Sequence, residues 1–402
     1  MNLFTAKDNL NKMKIVYTDN NATTKTADEV IQEMLPYFGE LYGNPSSMHT
    51  FGDRVAKKLT QARQQVADLI NADPEEIIFT SCGTESDNAA ISSAINAFPE
   101  KKHIITSSVE HPGINKFYEY LQKNKGYEVT YVPVDEKGFL DLDILYRSLS
   151  DNTAVVSLMW ANNETGVLFP IEEIANKVKE KGIVFHTDAV QAAGKIPIDV
   201  KKAGVDMLSL SGHKIHAPKG VAVLYVKKGF KFSPLLIGGH QEQGRRGGTE
   251  NTASIIGLGK ACELARENLS VMNTSVRELR DYLQTRLLEK IESSSVNGDL
   301  DQRLPNTLSI GFDAVEGESI LLMMDRDGIC ASSGSACTSG SLEPSHVLMA
   351  MKVPFKSAHG SIRFSLSHYN TKAEMDIIVA SLVPVIQQLR DMSPFWKNGK
   401  VV

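Results

Sequence analysis

Five short segments of this 402-residue chain carry side chains that could do chemistry. The first is Thr80-Ser81-Cys82-Gly83-Thr84-Glu85-Ser86. A β-rich run ends there, a glycine permits a tight turn, and a helical pattern begins. Such a turn aims free backbone N–H groups at an anion, with the positive end of the helix behind them. It is neither a Walker loop nor GxGxxG, and the plain alternative is that Thr84 or Ser86 caps the helix. The second is Phe185-His186-Thr187-Asp188-Ala189-Val190-Gln191. Asp188 closes an apolar strand, at the end where α/β sheets place ligand groups. A carboxylate there could keep a pyridinium nitrogen protonated, as an electron sink requires. Alternatively, Asp188 caps the next helix.

The third segment, Leu208-Ser209-Leu210-Ser211-Gly212-His213-Lys214, is followed by Ile215-His216-Ala217-Pro218-Lys219-Gly220 and another apolar run. A lysine trapped between turns at a strand end can be desolvated, which lowers its pKa and suits it to form a Schiff base. The competing reading, a solvated loop lysine, is weakened by the buried-looking acid one strand earlier. The fourth runs from Gly238 to Thr249 and holds five glycines with Arg245 and Arg246. It suits close approach to a phosphate, or equally a mobile surface loop. The fifth, Ala331-Ser332-Ser333-Gly334-Ser335-Ala336-Cys337-Thr338-Ser339-Gly340-Ser341, displays one thiol on a small, polar stretch. Such a loop leaves Cys337 exposed and able to move. Cys262 sits in an apolar helical pattern and reads as structural.

These segments need rigid elements to hold them. Candidate strands lie at 76–80, 103–107, 128–132, 154–160, 183–187, 207–211 and 221–226, with helical patterns such as 86–97 and 171–181 between them. Several strands are nearly continuous apolar runs, as for strands covered on both faces. Strands alternating with helices predict an α/β fold with a mainly parallel sheet. After residue 252 a helical pattern runs through 291, followed by a strand at 306–312, a loop-rich segment at 330–345 and a last helix over 371–389. This change of texture predicts a large domain over 22–258 and a small domain made of 1–21 and 259–402.

The composition, 42% hydrophobic and 23% charged, is that of an ordinary globular protein. A net charge of −5 gives no footprint for nucleic acid. No apolar run of 18 residues predicts a membrane span, and residues 1–21 lack the apolar stretch of a signal peptide. Met13 is a second candidate start. The four cysteines form no CxxC and no zinc-like spacing, so no metal is expected. So few cysteines point to a reducing, cytoplasmic setting.

The chain also reads TDNNATT at 18–24, YGNPSSMH at 42–49, TSCGTESDN at 80–88, VEHPG at 109–113 and ANNETG at 161–166. HTDAVQ follows at 186–191, SGHK at 211–214, RRGGT at 245–249, SSGSACTSGSLEPSHV at 332–347 and IRFSL at 362–366. In this order, spanning nearly the whole chain, they resemble the cysteine desulfurases of the NifS/IscS type, within the class V aminotransferase-like pyridoxal-phosphate enzymes. The wording is nearer the NifS branch, which implies a role in nitrogen fixation or general cluster assembly.

The resemblance implies fold type I of the pyridoxal-phosphate-dependent transferases: a large α/β domain with a mainly parallel seven-stranded sheet, plus a smaller α+β domain. It implies pyridoxal 5′-phosphate as cofactor, L-cysteine as substrate and L-alanine as product. Lys214 matches the lysine that binds the cofactor. His111 matches the catalytic histidine that stacks on its ring and relays protons, and Asp188 the acid paired with its ring nitrogen. Asn163 and Gln191 match contacts to its phenolic oxygen. Gly83, Thr84, Ser211 and His213 match phosphate ligands, and Thr249 one supplied by the second copy of a homodimer. Asn163 and Arg363 match the groups that hold the substrate carboxylate, and Cys337 the nucleophile that becomes a persulfide. A long loop around Cys337 goes, in this family, with delivery to an acceptor, here an iron–sulfur scaffold protein. The chain departs from the family at Ala217, where glycine is common, which could strain the turn if φ is positive there. Competing readings are a selenocysteine lyase or another lyase or aminotransferase of this fold, and a non-enzymatic sulfur carrier.

Overall fold

A computed structural model describes residues 15–333, 344–397 and 400–401. Met13 and Cys337 lie outside the described residues. The chain opens with a two-residue strand, β1 (Val16–Tyr17). The large sheet follows: β2 (Ile77–Thr80), β3 (His103–Ser107), β4 (Glu128–Val132), β5 (Thr153–Met159), β6 (Val184–Asp188), β7 (Met207–Ser211) and β8 (Ala222–Val226). Its order is β2-β8-β7-β6-β5-β3-β4. Only β8 runs against its neighbours, β2 and β7; the other pairs are parallel.

The continuous apolar runs are explained by cover on both faces. Side chains alternate across a strand. Ile77, Phe79, Ile105 and Val156 enter one core, while Ile78, Ile104 and Val155 enter another. The first face is covered by α1 (Thr50–Ile70) among others, and the second by α2 (Gly83–Ala97) and α3 (Pro112–Lys125). Further helices on the first face are α4 (Ile171–Glu180) and α5 (Thr252–Glu267).

A smaller antiparallel sheet has the order β12-β13-β10-β9. Its strands are β9 (Ser294–Val296), β10 (Thr307–Phe312), β12 (Ser332–Ser333) and β13 (Ser361–Ser365), while β11 (Ile329–Cys330) pairs in parallel with β1. Helices α6 (Arg277–Lys290), α7 (Gly317–Arg326) and α8 (Lys372–Met392) pack on it around Leu283, Ile310, Phe364 and Leu382. A capping box between Thr371 and Glu374 starts α8.

The expected helical run through 252–291 is interrupted. Asn268 and Asn273 turn their amide N–H groups onto the Leu264 and Leu269 carbonyls, and a π-turn at Met272–Val276 separates α5 from α6. The expected division after residue 258 falls inside α5, whose buried residues from Ala253 to Cys262 sit in the first core. We propose that the large and small domains follow these cores. No helix among the described residues is long and apolar enough to cross a membrane.

Helices α5 and α1 approach closely at Gly259. A Cβ there would stand 2.6 Å from the Ala62 Cα, which is backbone. At Gly257 it would stand 2.6 Å from the Met34 sulfur, the far part of a flexible side chain. Both Gly→Ala changes gain about 1 kcal/mol of helix propensity. Gly259→Ala is expected to lose about 1–3 kcal/mol to overpacking and so to unfold at lower urea than Gly257→Ala. Equal midpoints for the two variants would contradict this packing.

Candidate functional site

Six strands of the large sheet, all but β8, deliver their C-terminal ends to one edge, the usual ligand edge of an α/β sheet. Asp188 ends β6 and Ser211 ends β7. A 3₁₀ turn, Gly212–Lys214, then carries Lys214. The Lys214 Nζ donates to the backbone carbonyls of Asn21 at 2.6 Å and Ala22 at 2.7 Å. Gln191 Nε2 donates to the same Asn21 carbonyl at 3.0 Å. The Asn21 side chain donates to the Asn163 carbonyl at 3.2 Å, and Arg363 Nη1 donates there at 3.0 Å. Lys214, Gln191, Asn163 and Arg363 therefore converge around one asparagine.

Arg363 lies on β13 and is buried. Its Nη2 donates to Asp19 Oδ1 at 2.9 Å, while its Nε is buried without a hydrogen-bond partner among the described residues. An orphaned guanidinium N–H is costly and calls for an acceptor. A carboxylate fits, since the guanidinium fork matches it.

Asp188 is buried, and burial raises its pKa to about 6, against the opposing pull of the Val190 N–H, 2.8 Å from Oδ1, and of the Lys214 charge. The Val190 bond is the local capping role expected as the alternative, but residues 189–195 form turns and not a helix. His111 caps α3, its Nδ1 accepting the Gly113 N–H at 3.1 Å. The neutral ring therefore carries its proton on Nε2. Burial, then the Lys214 charge and His346, pull the His111 pKa down to about 4. His213 is held to about 4 mainly by burial, with Lys214, Lys219 and Lys195 adding to it, and its Nδ1 lies 3.1 Å from the Thr23 hydroxyl.

Helix α2 begins at the turn expected to face an anion. Its cap is Cys82, not Thr84 or Ser86: the thiol sulfur accepts the Glu85 N–H at 3.4 Å, and Ser86 turns its hydroxyl to Thr80 at 2.7 Å. Glu85 and Ser86 thus have their N–H groups taken, leaving those of Gly83 and Thr84 for a ligand. A Cβ on Gly83 would stand 3.1 Å from Val190 and 3.6 Å from Ser211, so glycine keeps the cradle open. Across it, Gly113 brings Thr84 and His111 within reach of each other: a Cβ there would lie 2.9 Å from the Thr84 hydroxyl and 3.1 Å from His111 Nδ1.

In the glycine-rich loop both arginines are engaged within the chain. Arg246 pairs with Glu85 at 3.0 Å, and Arg245 donates to the Ile77 carbonyl at 3.1 Å. Thr249 is exposed and makes no hydrogen bond among the described residues. Ala217 is unstrained, because the positive φ falls on His216, at 66°. Asp19, Asn21 and Lys195 were not singled out from the sequence. Lys195, four residues after Gln191, was the most legible of them, as a lysine in an otherwise small and apolar stretch.

Residues 16–378 match the model of the aminotransferase class-V family. The chain belongs to that family. It is 57% identical over 388 residues to a cysteine desulfurase of Nostoc sp., covering 96% of each chain. It is 56% identical to the cysteine desulfurase NifS of Azotobacter vinelandii, covering 97% of each. A solved NifS-like protein superposes with a TM-score of 0.88 at 38% identity, covering 94% of this chain and all of that one. A second, SspA in complex with cysteine, gives 0.77 at 34% identity, over 88% of this chain and 99% of that one. The family's cofactor, and that of this chain, is pyridoxal 5′-phosphate. The residues present fit it: a phosphate cradle, a lysine, and a buried acid that a cation on the ring would ionise.

Aspartate held at about 6 contributes stability that is full below its ordinary pKa and is lost as pH rises through 6. Asp188→Asn keeps an oxygen for the Val190 N–H and removes the charge. The cofactor-free variant is expected to match the parent near pH 4 and to gain on the order of 1–3 kcal/mol over it by pH 7–8. Urea titrations across that range that stay parallel would refute the buried carboxylate.

Proposed function

We propose that this protein is a cysteine desulfurase, converting L-cysteine to L-alanine and passing the sulfur to Cys337. The carrying observation is the convergence around Asn21 of a lysine, the Gln191 amide and the Asn163 carbonyl, which also receives an arginine with an unmatched N–H, in a chain over half identical to proteins of that name.

Arg363 and Asn163 would take the substrate carboxylate, the Arg363 Nε finding there the acceptor it lacks. Once displaced by the substrate amine, Lys214 is the group that moves the α-proton. Asp188, ionised beside a cationic ring nitrogen, holds the proton there. Bound in this site, the cofactor supplies the electron sink for the substrate carbons. His111 has its Nδ1 occupied by Gly113, so in the neutral form it offers an N–H and takes no proton. The Cys337 thiolate attacks the substrate sulfur: an S–S bond forms, the C–S bond breaks, and its electron pair goes to the carbon that is then protonated as alanine.

We infer further that the enzyme is a homodimer in which Thr249 serves the second copy's phosphate cradle. The exposed Leu235, Leu236 and Ile237 beside that loop support this, since a run of exposed apolar residues favours a protein contact. A long loop around Cys337 supports delivery to an iron–sulfur scaffold, and a thiol that must stay free suits the cytoplasm.

With L-cysteine and a reductant, the protein is expected to release alanine and sulfide in equal amounts. Cys337→Ala should lower this by at least about a hundredfold while keeping the visible cofactor band. Lys214→Ala should lose that band. A fully active Cys337→Ala variant would favour an aminotransferase, and faster selenide release from selenocysteine a selenocysteine lyase. Arg363→Lys, which loses the fork, is expected to raise KM by about ten- to a hundredfold with a smaller effect on kcat; an unchanged KM would remove Arg363 from the carboxylate site.

A further inference from the structure

Lys195 has no role in the reaction described above, yet it is buried at 4% exposure. The charges that bear on it are cations, Lys214 and Arg363, and burial with those two pushes its pKa well below the lysine range. Burying such a group costs several kcal/mol unless its protons are all placed. Its Nζ donates to Gln191 Oε1 at 2.7 Å and to Asn21 Oδ1 at 3.1 Å. Both contacts need Nζ as donor, and it has protons for both, three as ammonium or two as amine. An amide side chain beside such a donor turns its oxygen inward and its NH₂ outward. Gln191 Nε2 accordingly faces away from Lys195, donating at 3.0 Å to the carbonyl that also receives Lys214.

We infer that Lys195 is a positioning residue: by holding the amide oxygens of Gln191 and Asn21, it aims the Gln191 N–H at the phenolic oxygen of the cofactor bound to Lys214. The inference rests on the reading of Gln191 as the contact to that oxygen. Without Lys195, the two amide oxygens lose a donor and the Gln191 amide is free to turn over. Its oxygen would then face the phenolic oxygen, which is repulsive where the parent has a hydrogen bond.

A donor to a phenolate favours the form that carries more negative charge. The readout is therefore the pH at which the visible absorbance of the cofactor-loaded protein titrates. Lys195→Met and Gln191→Leu are each expected to raise that midpoint by about one pH unit. The double variant should move no further than Gln191→Leu alone, because Lys195 acts through Gln191. Lys195→Arg, which keeps a donor-only cation, should restore most of the parent midpoint, and it serves where the methionine variant does not fold. A shift in the double variant equal to the sum of the two would overturn the inference, since it marks a direct field of the Lys195 charge. So would an unmoved midpoint in Lys195→Met, or a Lys195→Arg midpoint shifted as far as that of Gln191→Leu. An unmoved midpoint in Gln191→Leu would instead remove Gln191 from the phenolic oxygen, and the inference with it.

Discussion

Asn21 commits every polar atom it has to joining the two cores. Its carbonyl takes Lys214 and Gln191, and its side-chain oxygen takes Lys195 and Asn306. Its Nδ2 reaches Thr307 at 2.9 Å as well as the Asn163 carbonyl, and its backbone N–H reaches the Ser365 hydroxyl at 2.9 Å. Thr307 and Ser365 belong to the small sheet, while Lys214 and Gln191 lie in the turns that follow two strands of the large one. Buried polar groups must be matched, so this one residue sets where Lys214 and Arg363 stand relative to each other. Arg363 leaves the small sheet and bonds Asn163 beside it.

Electrostatics give the same site its chemistry. Behind Asp188 lie Asp87 and Glu110, both buried and both driven toward the neutral form by desolvation, Glu110 to about 8. His186, 3.7 Å from Asp87, is held neutral at about 3 by burial. Burial raises Asp188 less far than Glu110, to about 6, because a backbone N–H and Lys214 favour its anion. Asp188 is thus more readily ionised than Glu110 by a nearby cation.

Much of the large sheet was legible because strands covered on both faces are written as unbroken apolar runs. The seven expected strands lie within about two residues of β2 to β8. The reversed direction of β8 had no signal in its composition. The cap at Cys82 was missed because a thiol is a poor acceptor and the hydroxyls of Thr84 and Ser86 are the ordinary candidates. Lys214, Asp188 and His111 stood at strand ends or helix starts, where local pattern and chemistry agree. Asn21 and Asp19 did not: the partners that define them lie 142 to 344 residues away in the chain. No local pattern carries such contacts. Lys195 is intermediate, since its spacing of four from Gln191 was visible but its burial was not.

The atom that first receives the sulfur decides the mechanism. The most direct measurement is a single turnover with radiosulfur-labelled L-cysteine, without reductant, followed by alkylation and peptide mapping. The account predicts one label per turnover on the peptide that carries Cys337, with an equal amount of alanine. Alanine formed with the label on Cys82, or with no label retained on the protein, would contradict it.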